Sequence, residues 1–145
     1  MRARDEQGTA VIEFVWLAIL LLVPLLYVVL TVFETQRAAY AASAAARSAG
    51  RAFVTSPDQA SAYGRAQAAA RLAYADQGLG DAPQVQITCS PSPRDCLTPG
   101  SVVRAEIRSS VDLPLLPAVF GSQTPAIRLQ ADHQAPYGTF REERP

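Results

Sequence analysis

Glu13 is a carboxylate set among Val11, Ile12, Phe14 and Val15. An ionised group in that company costs up to about 3 kcal/mol near the middle of a membrane, so it needs a cation or a shallow position. Taken alone, Glu13 also fits the headgroup level, as the last charge before the hydrocarbon. The second pair with chemical potential is Cys89 and Cys96, which flank the loop Ser-Pro-Ser-Pro-Arg-Asp. Redox-active pairs sit as Cys-x-x-Cys at the opening of a helix, and this spacing and proline content do not fit. One histidine, His133, is the only other soft ligand, which is too few for a metal site. A structural disulfide is the favoured reading, with free thiols as the alternative, and no metal or cofactor is expected. His133 has no serine beside it in a nucleophile motif, and neither a glycine-rich phosphate loop nor a spaced carboxylate pair occurs. No catalytic residue is assigned, and an enzyme is not expected.

These groups depend on the elements that carry them. Phe14 to Phe33 is a run of twenty residues without a formal charge, interrupted only by Pro24 and Thr31. As a helix it would span about 30 Å of hydrocarbon. It is a membrane helix or an export signal, and three readings compete. Ala39-Tyr40-Ala41 has the small-x-small form of a signal-peptidase site, but secretory cores run about 7–15 residues, and Glu34, Arg37 and Tyr40 crowd the site. An uncleaved anchor would use Arg2 and Arg4 to hold the N-terminus inside, although Arg37, Arg47 and Arg51 follow the span. The third reading joins Gly8 to Glu13. A short charged leader, MRARDEQG, ends in glycine, and the fifth residue after it is a glutamate at the mouth of the apolar helix.

The segment GTAVIEF, Gly8 to Phe14, with its short leader and the helix behind it, resembles the processing site of type IV pilin-like proteins. It looks most like the TadE-type minor pseudopilins of tight-adherence (Flp) pili, over roughly the first 55 residues. The resemblance implies that a prepilin peptidase cuts after Gly8 on the cytoplasmic side and leaves Thr9 as the new terminus. The Thr9 amine would then lie one helical turn from Glu13, at i and i+4, where it could neutralise the carboxylate. The amine of a neighbouring subunit could do the same, which makes Glu13 the subunit-alignment charge. The resemblance further implies a bacterial single-pass membrane protein, cytoplasmic at its N-terminus and extracytoplasmic beyond. Its partners would be other pilins, pseudopilins and the assembly platform, and it could enter the pilus itself. The alternative from another class is an uncleaved anchored domain that binds or senses a ligand through its sheet face or the segment Leu115 to Phe120.

Pro24 removes the amide partner of the Leu20 carbonyl, so a kink is one expectation; tolerance of proline in ordinary membrane helices is the other. Past Phe33, eight alanines between Arg37 and Gly50 favour continued helix. The helix from Thr9 to about Val54 would be near 70 Å long, an Ala-rich stalk whose smooth face suits close packing by another helix. Gly50 and Thr55-Ser56-Pro57 should weaken it. Ser56 as N-cap, Pro57 at N1 and Gln59 beyond suggest a second helix from Pro57 to Gln77, stopped by Gly78 and Gly80. Tyr63, Ala66, Ala70, Ala73 and Tyr74 would share its inner face.

From Gln84 the period becomes two, with Val85, Ile87 and Cys89 on one side. The same alternation places Val103, Ala105, Ile107, Ser109, Val111 and Leu113 inward, then Ile127, Leu129, Ala131 and His133. Pro114, Pro117 and Pro125 predict a looped connection between the second and third strands, and the tail from Tyr137 to Pro145 reads as polar and frayed. The expectation is an α+β architecture, with a long N-terminal transmembrane helix and Ala-rich extension, a second helix, and an antiparallel sheet of about three strands. It divides as a leader at 1–8, helix and stalk at 9–55, and an extracytoplasmic domain at 56–145. Thirteen arginines and no lysine balance thirteen acids, so no cationic surplus points to nucleic acid. No small-molecule substrate is expected.

Overall fold

The computed structural model describes residues 7–80, 82–112 and 126–142. The leader residues before Gln7 and the expected connection carrying Pro114, Leu115, Leu116, Pro117, Val119, Phe120 and Pro125 lie outside the described residues. The order of elements is α1 (Gln7–Val54), α2 (Gln59–Asp76), β1 (Gln84–Ser90), β2 (Val102–Asp112) and β3 (Ala126–Pro136). This is the α+β arrangement expected from the sequence.

α1 is a single helix of 48 residues with Pro24 inside it, and the helix continues past the proline to Val54. At 1.5 Å per residue it is about 72 Å long. Its first half is exposed, and its second half is core: Ala38, Ala41, Ala45, Ala46, Ala49 and Phe53 have no exposed surface. The alanine face is covered by α2 and the sheet of the same chain. α2 answers with Ala62, Ala66, Ala70, Ala73 and Tyr74, so small side chains meet small side chains and the two helices approach closely. Tyr63, expected on that face, is half-exposed but sets its ring edge-to-face on Phe53, with centroids 5.1 Å apart.

The start of α2 corrects the expected cap. Asp58, not Ser56, is the N-cap; its carboxylate accepts from the Ser61 amide at 2.8 Å and from the Ser61 hydroxyl at 2.9 Å. Ser56 is fully buried and donates to the Ala52 carbonyl at 2.7 Å, so its hydroxyl serves the end of α1. Those Ser61 bonds, the backbone bond foremost, hold the Asp58 carboxyl below its ordinary 3.8. A lowered carboxylate stabilises the fold above its unfolded pKa and loses that contribution as pH falls through the folded one. Asp58→Asn should keep the cap and flatten the stability-versus-pH curve below about pH 4, as acid titrations followed by circular dichroism would read. The C-terminal stop is as expected: Gly78 takes φ +68°, its amide donates to Ala75, and the Leu79 amide donates to Tyr74, the paired bonds of a Schellman end.

Two glycines differ in meaning. Gly50 does not weaken α1; it lies where the helix meets the sheet, and a methyl added there would come 3.4 Å from Ala135 Cβ and 3.5 Å from His133 Cδ2. Gly64 faces open space. Gly64→Ala should therefore stabilise the fold by about 0.5–1 kcal/mol through helix propensity alone, readable as a raised urea midpoint.

The three strands form an antiparallel meander in the order β1-β2-β3. Ile87, Ala105 and His133 align across it, as do Val85, Ile107 and Ala131. Val103, Ala105 and Ile107 are fully buried, and Ser109, also inward, accepts a hydrogen bond from the Tyr74 hydroxyl at 2.8 Å. Burial raises the Tyr74 phenol above its ordinary 10.0, and the Ser109 bond opposes that shift. The wet face is polar: Arg104 pairs with Asp132 at 3.1 Å, and the Glu106 carboxylate accepts from Arg108 and Gln130. The expectation of a frayed tail is corrected at Tyr137, while residues 143–145 lie outside the described residues. Tyr137 continues the inward parity of Ala135 and is 1 % exposed, its amide donates to Ser101 and its hydroxyl to Glu142. Arg141 stacks over its ring and donates to the Val54 carbonyl that ends α1.

Candidate functional site

The exposed half of α1 is where the chemistry-bearing N-terminal residues lie. Gly8 and Thr9 fall in its first turn, and Glu13 follows one turn after Thr9. Val11, Ile12, Phe14, Trp16, Leu20 and Phe33 each expose more than 60 % of their surface. This is the one helix, among the described residues, long and apolar enough to cross a membrane; its most apolar window has mean hydropathy 2.7 and nothing buried. Thr31 and Thr35 lose no hydrogen bond in such a setting, since their hydroxyls donate to the Tyr27 and Thr31 carbonyls one turn back. Glu13 is exposed, and none of the ion pairs among the described residues includes it.

The folded domain begins close to the end of the apolar run. Arg37, four residues past Phe33, donates to the Gly78 carbonyl at 3.2 Å and approaches Glu34 at 3.8 Å. Four residues of helix rise about 6 Å, so α2 comes down almost to the apolar surface and no bare stalk separates the two. Ala41, where a signal peptidase would cut, is fully buried within α1.

At the far end of the domain, Cys89 and Cys96 form the expected disulfide across the β1–β2 connection. Gln59, expected as part of the Ser56 capping signal, has a different role. Its amide donates to the Arg94 carbonyl at 2.7 Å and its oxygen accepts from the Cys96 amide at 3.1 Å, so it fastens the start of α2 to the disulfide loop. No local signal distinguishes that role from a capping-box glutamine. Among the described residues no three His, Cys, Asp or Glu side chains gather as a metal site. Clefts among the described residues include one of ≈ 480 Å³ beside Arg108 and Arg128, one of ≈ 540 Å³ between α1 and β3, and one of ≈ 240 Å³ at the disulfide loop.

Compared with known proteins, the chain matches no family model, no curated protein and no solved structure.

Proposed function

We propose that this chain is a TadE-like minor pseudopilin, a single-pass membrane protein that helps assemble or initiate a Tad/Flp-type pilus or a related secretion machine. The observation that carries the reading is the spacing of Gly8 and Glu13 at the mouth of an exposed apolar helix that runs unbroken into the core of an outer domain. Such a helix gives a peptidase a short leader on one side of the membrane and couples the span rigidly to the domain on the other. The disulfide supports an extracytoplasmic position for that domain. The burial of Ala38 and Ala41 speaks against conventional signal cleavage, since cutting after Ala41 would strip the first buried turn of α1 from the core. In this role Gly8 is the peptidase's recognition residue, Thr9 the mature terminus and Glu13 the charge that aligns subunits. The work is assembly, with a prepilin peptidase, other pilins and platform proteins as partners.

Mass spectrometry of the protein from its native host should find a chain beginning at Thr9, and Gly8→Ala should leave Met1 or the full leader in place. Functional material that retains the leader would overturn the reading and leave an anchored domain; a start at Ala42 would indicate ordinary secretion.

A further inference from the structure

β3 is hydrogen-bonded to β2 on one side, and among the described residues no ladder occupies its other edge. The ≈ 540 Å³ cleft lies between α1 and β3 and is lined by Arg47, Ser48 and Arg51 on the helix and by His133, Gln134 and Pro136 on the strand. Arg47 and Arg51 are exposed, one helical turn apart, and absent from the ion pairs among the described residues. Among the described residues no carboxylate lines the cleft. The edge of β3 thus offers main-chain donors and acceptors, and over its last residues, His133 to Pro136, it lies beside two guanidinium groups. Open edges invite an added strand, and unpaired arginines select carboxylates.

We propose that this cleft docks an extended acidic segment of a different protein, which adds as a fourth strand on β3 and sets its carboxylates against Arg47 and Arg51. A second copy of this chain is the obvious rival occupant, because antiparallel pairing centred on Gln130 would set Arg128 opposite the partner's Asp132. The apolar helix forbids this antiparallel pairing. β3 climbs in the same direction as α1: Leu129 is level with Ser109, which meets Tyr74 near the end of α2 that Arg37 ties down, whereas Ala135 lies against Gly50. Antiparallel pairing of two β3 edges needs a two-fold axis perpendicular to the sheet, and that axis would point the two apolar spans in opposite directions. Two copies anchored in one membrane cannot adopt it. An acidic segment of another protein carries no such constraint. The proposal needs α1 as an anchor and does not need the pseudopilin assignment.

The test uses the full chain in lipid nanodiscs, with a photo-crosslinking residue at Gln134 or, as control, at Gln86 on β1. The probes are a fluorescent peptide of alternating Glu and Val and its Lys and Val counterpart. The acidic peptide should bind, cross-link at position 134 and not at 86, and weaken by about tenfold or more in the Arg47→Glu/Arg51→Glu double variant. Arg65→Glu/Arg71→Glu, on the exposed side of α2, should leave binding unchanged. Equal binding of the basic peptide, equal weakening by the α2 variant, or cross-linking of position 134 to the chain's own tail without peptide would overturn the proposal.

Discussion

Phe53→Ala should destabilise the folded α+β domain by about 3–5 kcal/mol, the loss typical of a large aromatic removed from a core. Phe53 has no exposed surface and closes the last turn of α1 against Tyr63, at the point where helix, helix and sheet meet. The rest of that core is built largely of alanines, which cannot shift to fill the space, so most of the cavity penalty should persist. A domain of this size holds about 5–10 kcal/mol in total, and the variant should be partly unfolded at growth temperature. The single tryptophan, Trp16, lies in the apolar span, so its fluorescence does not report on the domain. Hydrogen exchange of the β2 amides under increasing urea, in detergent, is the suitable readout. Leu20→Ala, in the exposed span, should leave that curve where it is. A Phe53→Ala midpoint shift equivalent to less than about 1 kcal/mol would show that the core closes without this ring.

The elements legible from sequence were those whose signal is local. Alternation at Val103, Ala105 and Ile107 dictates a strand with one buried face whatever it pairs with, and the Gly78 position dictates a helix end. Glu34 and Arg37 meet because i and i+3 share a helix face. What escaped was set by contacts distant in sequence. Ser56 reads as a cap only until the end of α1 claims its hydroxyl; Gly50 reads as a weakness until β3 is laid against it. Gln59 reads as a capping-box partner until the disulfide loop arrives thirty-seven residues later and takes both ends of its amide. The alanine seam was legible as a packing surface, but composition cannot say whether the partner helix belongs to the same chain. The N-terminal site is legible as spacing alone: in the folded chain Glu13 lies far along an exposed helix from the domain, and no described ion pair reaches it.

Removing the disulfide should cost about 2–3 kcal/mol, and the position of the loop explains why so short a cross-link matters. Cys89 and Cys96 are seven residues apart, and closing a ring of that size removes roughly 2.5 kcal/mol of unfolded-chain entropy. Both sulfurs are buried: Cys89 pairs in register with Val103, and Cys96 has no exposed surface. The Cys96 amide is held by Gln59 and its carbonyl by the Ser101 hydroxyl. Freeing the loop therefore slackens the joint between the first turn of α2 and the top of the sheet as well as the loop itself. Cys89→Ala/Cys96→Ala should lower the urea midpoint of the β2 amides, and reductant should lower the parent chain by a similar amount while leaving the variant unmoved. Gln59→Ala in the oxidised chain should cost less, about 1 kcal/mol. In the disulfide-free chain its effect should shrink, because a loop already loose has little left for Gln59 to hold. Additive losses in the triple variant would mean that the two fastenings act on separate parts of the fold.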